Sequence, residues 1–333
     1  MQNTFFKNNV NYHWLIPYDI PFDKFPQVTL ASIRLRSFCC MIAMKNKFIN
    51  FTYGESIPPN TDVVVIGKIG DKISERSILW LTQISTAKNN GALVFLDYTD
   101  HHLRIDSYAN SFYKKVIKLV DHCIVSSKYM GDLLRNYFSG PISVIEDPIE
   151  FLPQSIKKTV NNRINVLWFG HGSNINFLVS FINSSKFLLN DCNLFVISSP
   201  EGINSIINSN LIKSSASQIQ AAIWSVDTIF NAANFCDLCI IPSDLDNSKK
   251  MGASSNRLIT SLVLGLPTAA DNLPSYKEFS QFYVDIRGTT FHDLLANPLK
   301  FSHQVSAAQS LIVNRFSFQK IGNDWIELLS SKK

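Results

Sequence analysis

Short apolar runs alternate along the chain with longer segments whose apolar residues recur every three or four positions. This alternation of strands with amphipathic helices is typical of a parallel sheet that is covered by helices on both faces. In the first half we predict strands at 12–16, 48–53, 62–66, 92–96, 122–126 and 142–145. The predicted helical segments between them are 30–44, 74–88, 107–119 and 128–137.

The same alternation starts again after a polar segment that contains Pro148 and Pro153, which favours a linker at this point. Further strands are predicted at 165–170, 193–198, 220–225, 238–242 and 267–270. The pattern therefore predicts two α/β domains, each with a parallel sheet. Ligands of open α/β sheets bind beyond the carboxyl ends of the strands, so two such domains facing one another place the expected site in the cleft between them.

Composition narrows the function classes. Hydrophobic residues make up 46% and charged residues 17% of the 333 residues, as in ordinary globular proteins. The net charge of +5 suits anionic ligands or an anionic membrane surface, but no Lys/Arg block supports binding to nucleic acid. The N-terminus lacks the apolar core of a signal peptide and no window is apolar enough to span a membrane, so we expect a cytoplasmic protein. No feature indicates an oligomeric state.

The chain has six cysteines, and two of them, Cys236 and Cys239, form a C-x-x-C motif. A zinc site needs a second pair of ligands, and none is placed for it. We therefore favour buried thiols over metal or redox chemistry.

The first strand of the second domain ends in W-F-G-H-G-S-N. Gly170 and Gly172 allow a sharp turn close to a ligand, and Ser173 or Asn174 is placed to cap a helix whose free N–H groups attract an anion. His171 fits a donor to substrate, a base, or a polar turn residue. We predict a ligand-facing loop, although tight turns use glycine for structural reasons as well.

A second candidate lies where the strand that ends at Pro242 is followed by the sequence SDLDNSKKMGASSNRLITSLVLG. Its last part predicts an amphipathic helix with Ser254 or Ser255 at the N-cap and a glycine just past its end. The helix N-terminus with Ser254, Ser255, Asn256 and Arg257, together with the preceding lysine pair, predicts a site for a diphosphate or a phosphate-sugar. The alternative is a well-capped surface helix with a basic first turn. A cation opposes the helix dipole at this position, which favours a functional reason for Arg257.

Asp244 and Asp246 form a D-x-D in the same loop. Such a pair binds magnesium in metal-dependent sugar transferases, but Asp residues also shape turns. We favour the turn and predict that the chain needs no metal.

In the first domain, one strand runs into the sequence D-Y-T-D-H-H-L. Asp100 and His101 are our candidates for a general base that takes a proton from a hydroxyl nucleophile, with Asp97 as the orienting group. A helix cap explains Asp100 as simply. Arg34 and Arg36 are candidates for binding acceptor phosphates, as is Lys68, or they lie on a solvated surface.

Several of these motifs resemble GT-B glycosyltransferases, the class with two facing Rossmann-like domains that binds a nucleotide sugar mainly to the second. The resemblance rests on CDLCIIP, on KKMGASSNRLITSLVLGLPTAA and on LPSY, which are similar to the diphosphate-binding block of that class. DHCIVSSKYMGDLL, VIEDPIE and FSFQKIGNDWIELL resemble the end of the acceptor domain, the crossover and the closing helix. The resemblance implies an acceptor domain at 1–148, a nucleotide-sugar domain at 149–312, and a C-terminal helix in 313–333 that packs back toward the first domain.

The resemblance also implies roles for individual residues. Trp224 would meet the nucleotide base, and the loop from Gly170 to Ser173 would lie near the phosphates and the transferred sugar. Lys250, with the start of the following helix, would stabilise the departing nucleotide without a metal. Retaining members carry paired glutamates across this helix, where this chain has Gly252 and Thr260. The stereochemical outcome of transfer is therefore left open.

The predicted function is metal-independent transfer of a sugar from a nucleotide-activated donor to a hydroxyl of a glycan or lipid-linked acceptor. No cofactor is expected beyond the nucleotide sugar, and the cationic balance is compatible with peripheral docking on an anionic membrane face. The alternatives are a nucleotide-sugar epimerase of the same architecture and a two-lobed sugar-binding protein without enzymatic activity.

Overall fold

The computed structural model describes residues 10–70, 73–104, 109–185, 187–209, 218–246 and 252–331. The chain divides into two units. Unit 1 consists of Met1–Pro148, Ser248–Ser254 and Phe316–Lys333, and unit 2 consists of Ile149–Asn247 and Ser255–Arg315. The hydrophobic pattern did not predict that a short segment ending at Ser254 belongs with the first unit.

Unit 1 contains one parallel sheet. Its strands are β1 Tyr12–Leu15, β2 Phe51–Gly54, β3 Val63–Ile66, β4 Leu93–Tyr98, β5 His122–Val125 and β6 Ile142–Val144. Their order is β2-β1-β3-β4-β5-β6, and all neighbouring strands run parallel. Strand β1 lies in the interior of the sheet, and the order of the strands reverses between β1 and β3, as in flavodoxin-like sheets.

Successive residues of a strand point to opposite sides of the sheet, so the apolar strands of unit 1 have two apolar faces. Helices cover both faces. They are the π-helical turn Ser32–Ser37, α1 Phe38–Asn46, α2 Ile73–Asn89, α3 Asn110–Val116 and α4 Lys128–Leu134. Val64 and Ile66 pack in one apolar cluster with Trp80, whereas Val63 and Val65 pack in another with Trp14 and Phe38. The apolar run of β3 is buried on both faces for this reason.

Unit 2 contains a second parallel sheet. Its strands are β7 Ile164–Phe169, β8 Cys192–Ser198, β9 Ile219–Ile223, β10 Leu238–Ile241, β11 Thr268–Ala270 and β12 Val284–Asp285. Their order is β12-β11-β10-β7-β8-β9, which is the strand order of the dinucleotide-binding Rossmann fold. The order reverses between β7 and β10, so the carboxyl ends of these two strands form the switch point where ligands of such sheets bind.

The helices of unit 2 include several that contribute residues to an apolar cluster with Trp168 and Phe291. They are α5 Ile175–Ser184, α6 Phe187–Asp191, α7 Pro200–Ile207, α8 Val226–Phe235, α9 Asn256–Val263, α10 Thr290–Ala296 and α11 Ser302–Phe316, with short 3-10 turns at Gly172–Asn174, Pro274–Phe279 and Pro298–Phe301. The C-terminal helix α12 Phe318–Ser330 packs in unit 1, where Ile321 and Trp325 join the cluster around Trp14.

The predicted fold class, α/β with two Rossmann-like parallel sheets, is confirmed. Some boundaries differ from the prediction for local reasons. β2 begins only at Phe51, because Phe48 has a φ of 56° and turns the chain in the left-handed region. β12 was not predicted, since a strand of two residues carries no periodicity. Over the ranges that the structure describes, no helix combines the length and apolar character needed to cross a bilayer.

Candidate functional site

Helix α9 starts next to the switch point of unit 2. Its buried residues Leu258, Ile259, Leu262 and Val263 hold it on the sheet, and Gly265 ends the turn with a φ of 81°. Ser255 is the N-cap residue, but its side chain makes no capping hydrogen bond. The first turn of α9 therefore presents backbone N–H groups that no side chain of its own cap satisfies.

The guanidinium of Arg257 lies between the ends of β7 and β10. Its Nη2 donates to Ser243 Oγ at 3.4 Å, and Ser243 follows β10 closely. Its Nη1 is buried and, within the described part of the chain, has no hydrogen-bond partner. A Cβ atom added to Gly170, which follows β7, would lie 3.4 Å from this Nη1. Arg257 thus places an unsatisfied buried donor at the position where ligands of this fold bind.

Hydrogen bonds to strand β8 hold the loop that follows β7. Ser198 Oγ donates to Gly170 O at 2.7 Å, and the Gly170 amide donates to Ile197 O at 3.0 Å. Gly172 is required for packing, because an added Cβ would lie 2.9 Å from the Gly202 amide nitrogen at the start of α7. The structure therefore gives Gly172 a role in close approach between two backbones.

His171 and Ser173 lie on the exposed side of the same loop. The Ser173 amide donates to His171 Nδ1 at 3.2 Å, so His171 is the N-cap of the 3-10 turn Gly172–Asn174. This bond fixes the direction of the imidazole without burying it. Trp224 follows β9 and is half-buried, and its amide donates to Ser198 O at 2.8 Å. Ser198 therefore connects the predicted base-binding residue to the Gly170 loop.

Asp271 and Arg287, which were not among the sequence candidates, lie beside Ser243 at the carboxyl edge of the sheet. Asp271, which directly follows β11, has a fully buried carboxylate that accepts from the Ser243 amide at 2.7 Å. The same carboxylate binds the Arg287 guanidinium, whose Nη2 also lies 3.4 Å from Ser243 O. Asp271 thereby fixes Ser243, the partner of Arg257. Its position directly after a predicted strand is the sequence signal by which it could have been found.

The D-x-D motif forms a turn. The Asp246 amide donates to Asp244 Oδ1 at 3.0 Å, which is the arrangement of an aspartate that shapes its own loop. In the described ranges no group of three or more His, Cys, Asp or Glu residues is arranged to hold a metal ion. Lys250, our predicted catalytic lysine, lies outside the described residues.

At the carboxyl edge of the unit 1 sheet, Lys68 and Asp100 follow the neighbouring strands β3 and β4 and form an ion pair. Both side chains keep some exposure, at 27% and 20%. His101 is only 1% exposed, and its ring packs edge-on against Tyr98 and Tyr137. Burial lowers the pKa of His101. Asp100 is thus the accessible member of the predicted pair, and the catalytic role of both residues stays a prediction.

Arg36 is buried, with 1% exposure, and binds Asp97 through Nε and Nη2, with Nε distances of 2.7 and 2.9 Å. Its Nη1 donates to Ile145 O and Asp147 Oδ1. Burial raises the pKa of Asp97 to about 6, and the contact with Arg36 opposes this rise. Asp97 therefore supports Arg36, and the expectation that it orients His101 was wrong.

Arg34 is also buried and donates to Val28 O. Acceptor binding by Arg34 and Arg36 stays a prediction, and their burial requires a rearrangement before either guanidinium meets a ligand. Cys236 and Cys239 are buried free thiols whose pKa values are raised by burial, as are the other cysteines of the chain. The interpretation of the C-x-x-C motif as core is consistent with this burial.

No protein-family model and no curated protein matches the sequence. Solved structures match the fold. The pneumococcal O-GlcNAc transferase GtfA in complex with UDP and GlcNAc is similar over 81% of this chain, with a TM-score of 0.53 and 12% identity, and this chain spans only 56% of GtfA. AviGT4, a glycosyltransferase involved in avilamycin A biosynthesis, is similar over 96% of both chains, with a TM-score of 0.55 and 11% identity.

S. aureus MnaA, solved with UDP, is similar over 97% of both chains, with a TM-score of 0.55 and 10% identity. At such low identity these likenesses concern the fold. They confirm the GT-B type that the motifs of the second half predicted.

Proposed function

We propose that the chain transfers a sugar from a nucleotide-activated donor to a hydroxyl of a glycan or lipid-linked acceptor. The observation that carries the proposal is the buried, unsatisfied Nη1 of Arg257 at the switch point of unit 2. An arginine donor in this position matches the oxygens of a phosphate, and the neighbouring amides of α9 add a positive field. The fold is shared with AviGT4, which is described as a glycosyltransferase.

In the proposed reaction the bond between the anomeric carbon and the diphosphate oxygen breaks, and a bond to the acceptor oxygen forms. Negative charge develops on the departing diphosphate, where Arg257 stabilises it together with the first turn of α9. Lys250 is proposed to add a further positive charge. This charge comes from the protein itself, so the proposed reaction needs no metal.

The acceptor proton needs a base, for which we propose Asp100. Its carboxylate is partly exposed beside Lys68, whereas His101 is enclosed by aromatic rings. We expect Asp100→Asn to lower turnover at least about a hundredfold, within the range for loss of a general base, while nucleotide affinity stays within about twofold. A turnover equal to that of the unchanged chain would remove Asp100 from the mechanism.

UDP is the first nucleotide to test, because it is present in the GtfA and MnaA structures. The exposed side chains of His171 and Ser173 are proposed to bind the phosphates or the transferred sugar, and Trp224 to stack on the base. A lipid-linked acceptor would bring the protein to the cytoplasmic face of a membrane, where its net charge of +5 favours anionic lipids.

The deciding experiment measures UDP binding by calorimetry, followed by a panel of UDP, GDP, CMP and TDP sugars. Arg257→Ala is expected to weaken binding by about ten- to a hundredfold, as for loss of a charged hydrogen bond. Arg315→Ala is the matched control, because Arg315 is a partly exposed arginine of unit 2 that pairs with Glu278. Equal affinities of both variants would contradict the proposed site.

Product analysis tests the reaction itself. Release of free nucleotide from a nucleotide sugar, unaffected by EDTA, is expected. Conversion to an isomeric sugar nucleotide would favour the epimerase instead, and saturable binding of free sugar without nucleotide would favour the binding protein. Activity that is lost in EDTA and restored by magnesium would contradict the metal-free mechanism.

A further inference from the structure

A hydrogen-bonded chain of three side chains ends immediately before helix α9. Ser254 Oγ donates to Asp147 Oδ2 at 2.6 Å, and Asp147 Oδ1 accepts from Arg36 Nη1 at 3.0 Å. All three residues belong to unit 1. None of these contacts was visible in the sequence, where Arg36 and Ser254 were candidates for direct binding of a ligand.

Arg36, at the far end of this series of hydrogen bonds, is fully enclosed. The Arg36 guanidinium is enclosed by the carboxylate of Asp97, the carbonyl of Ile145 and the ring of Trp325, whose centroid lies 5.3 Å away. Separating a buried charge from its partners is costly, so the Arg36 guanidinium is held among these groups. Asp147 therefore presents its second oxygen to Ser254 from a fixed place.

The segment before α9 is also held by packing. A Cβ atom on Gly252 would lie 2.4 Å from Cε of Met130, a residue that is fully buried in the core of unit 1. A side chain at position 252 therefore requires Met130 to move. The described residues that precede α9 are thus held on unit 1 at two points, by Met130 and by Asp147.

The peptide bond after Ser254 leads to the N-cap of α9, which has no capping hydrogen bond of its own. The first turn of α9 includes Arg257, three positions after Ser254. The side-chain hydrogen bond nearest to the start of this turn is the one that Ser254 makes with Asp147. The hydroxyl of Ser254 is already engaged with Asp147, and it fixes the backbone from which the turn begins.

We infer that Asp147 and Ser254 are positioning residues that set the first turn of α9 and, through it, the placement of Arg257. This inference rests on the proposed function for its link to the donor phosphates. It differs from the expectation that Ser254 binds the donor directly, because Ser254 acts here through the backbone that follows it.

The test uses Ser254→Ala and the conservative Ser254→Thr, which keeps the hydroxyl. Ser310→Ala is the matched control, since the Ser310 hydroxyl donates to Ser306 O in its own exposed helix turn. Ser254→Ala is expected to weaken UDP binding about five- to tenfold, comparable to loss of one hydrogen bond, without a change in melting temperature beyond that of Ser310→Ala. Ser254→Thr should restore the affinity.

Asp147→Ala, which removes both acceptor oxygens, separates positioning from direct contact. If Ser254 acts through Asp147, this variant weakens UDP binding as well, and the double variant with Ser254→Ala is no weaker than the poorer single variant. Additive losses, or an effect of Ser254→Ala without one of Asp147→Ala, would instead indicate that Ser254 contacts the nucleotide directly and would overturn the inference.

A second measurement does not depend on nucleotide. The Ile259 amide donates to Ser255 O at 3.0 Å and reports on the first turn of α9. Hydrogen exchange of this amide should become faster in Ser254→Ala and stay unchanged in Ser310→Ala. Unchanged exchange in both variants would overturn the inference even if UDP binds. Faster exchange in a protein that binds no nucleotide would instead reject the proposed function, while it would support the role of Ser254 in positioning the first turn of α9.

Discussion

Gly170 and Arg257 meet across the switch point of the second sheet, where a Cβ atom on the glycine would lie 3.4 Å from the arginine Nη1. The two residues belong to different loops, after β7 and at the start of α9. Gly170, which has no side chain, therefore lies beside the buried guanidinium of Arg257 at the ligand edge of the sheet. This proximity also leaves little room for a side chain on Gly170, because the same Cβ would lie 3.2 Å from the ring of Trp168.

Replacement of Gly170 by alanine should therefore disturb the ligand site more than the fold. The added methyl group presses on Trp168 and on the guanidinium of Arg257, so we expect UDP affinity to fall about tenfold by calorimetry, as for loss of one charged hydrogen bond. Gly131→Ala is the control, since its Cβ would meet its nearest neighbour at an ordinary 3.5 Å. An unchanged affinity in Gly170→Ala would separate Gly170 from the site.

Removal of the buried Arg36 charge should destabilise the whole of unit 1. Arg36→Met leaves the carboxylates of Asp97 and Asp147 without their cation, and loss of one partner of a buried ion pair costs about 3–5 kcal/mol. Urea unfolding measures this loss. Asp97→Asn should cost less, because Asn keeps one acceptor for the guanidinium. Equal stability of Arg36→Met and the unchanged chain would show that the pair contributes nothing net.

Acid should destabilise the protein through His13. Burial lowers the pKa of this histidine to about 4, while the unfolded chain has the ordinary value of 6.5. The unfolded state therefore binds more protons between these values, so the contribution of His13 is complete above pH 6.5 and is lost as the pH falls toward 4. Between pH 7 and pH 5 the loss is about 2 kcal/mol in the free energy of unfolding.

His13→Gln isolates this contribution, because other buried groups titrate alike in both proteins. Gln retains a polar partner for Thr52, whose hydroxyl lies 2.8 Å from His13 Nδ1. Urea titrations at pH 7 and pH 5 should show a smaller loss of stability in the variant. The prediction fails if both proteins lose the same stability over this interval.

Asp271→Ala should affect both stability and ligand binding. The Ser243 amide would lose its acceptor and the Arg287 side chain its carboxylate, and an unsatisfied buried group costs about 1–3 kcal/mol. A displaced Ser243 also releases Arg257, so UDP binding should weaken. Asp293→Ala in helix α10 serves as a control of the same charge change. An effect on melting temperature with no effect on UDP affinity would limit Asp271 to the fold.

Periodicity and turn chemistry alone predicted much of the architecture. The alternation of apolar runs and helical segments identified both parallel sheets, because burial on two faces requires such runs. Gly265 marked the end of α9 because a left-handed turn there favours glycine. The same logic pointed to Gly170 and Arg257, since residues at strand ends and helix starts face the ligand edge of such sheets.

The tertiary structure alone decided which of these residues meet. Periodicity does not encode strand order, and strand order is what brings Gly170 beside Arg257 and Asp271 beside Ser243. The sequence also did not show which charged side chains are buried. Arg36 looked like a surface residue in the sequence, but its guanidinium is enclosed and therefore must be neutralised by Asp97 and Asp147. A charge on a helix reads the same in the sequence whether water or a carboxylate surrounds it, and only the packed chain determines which.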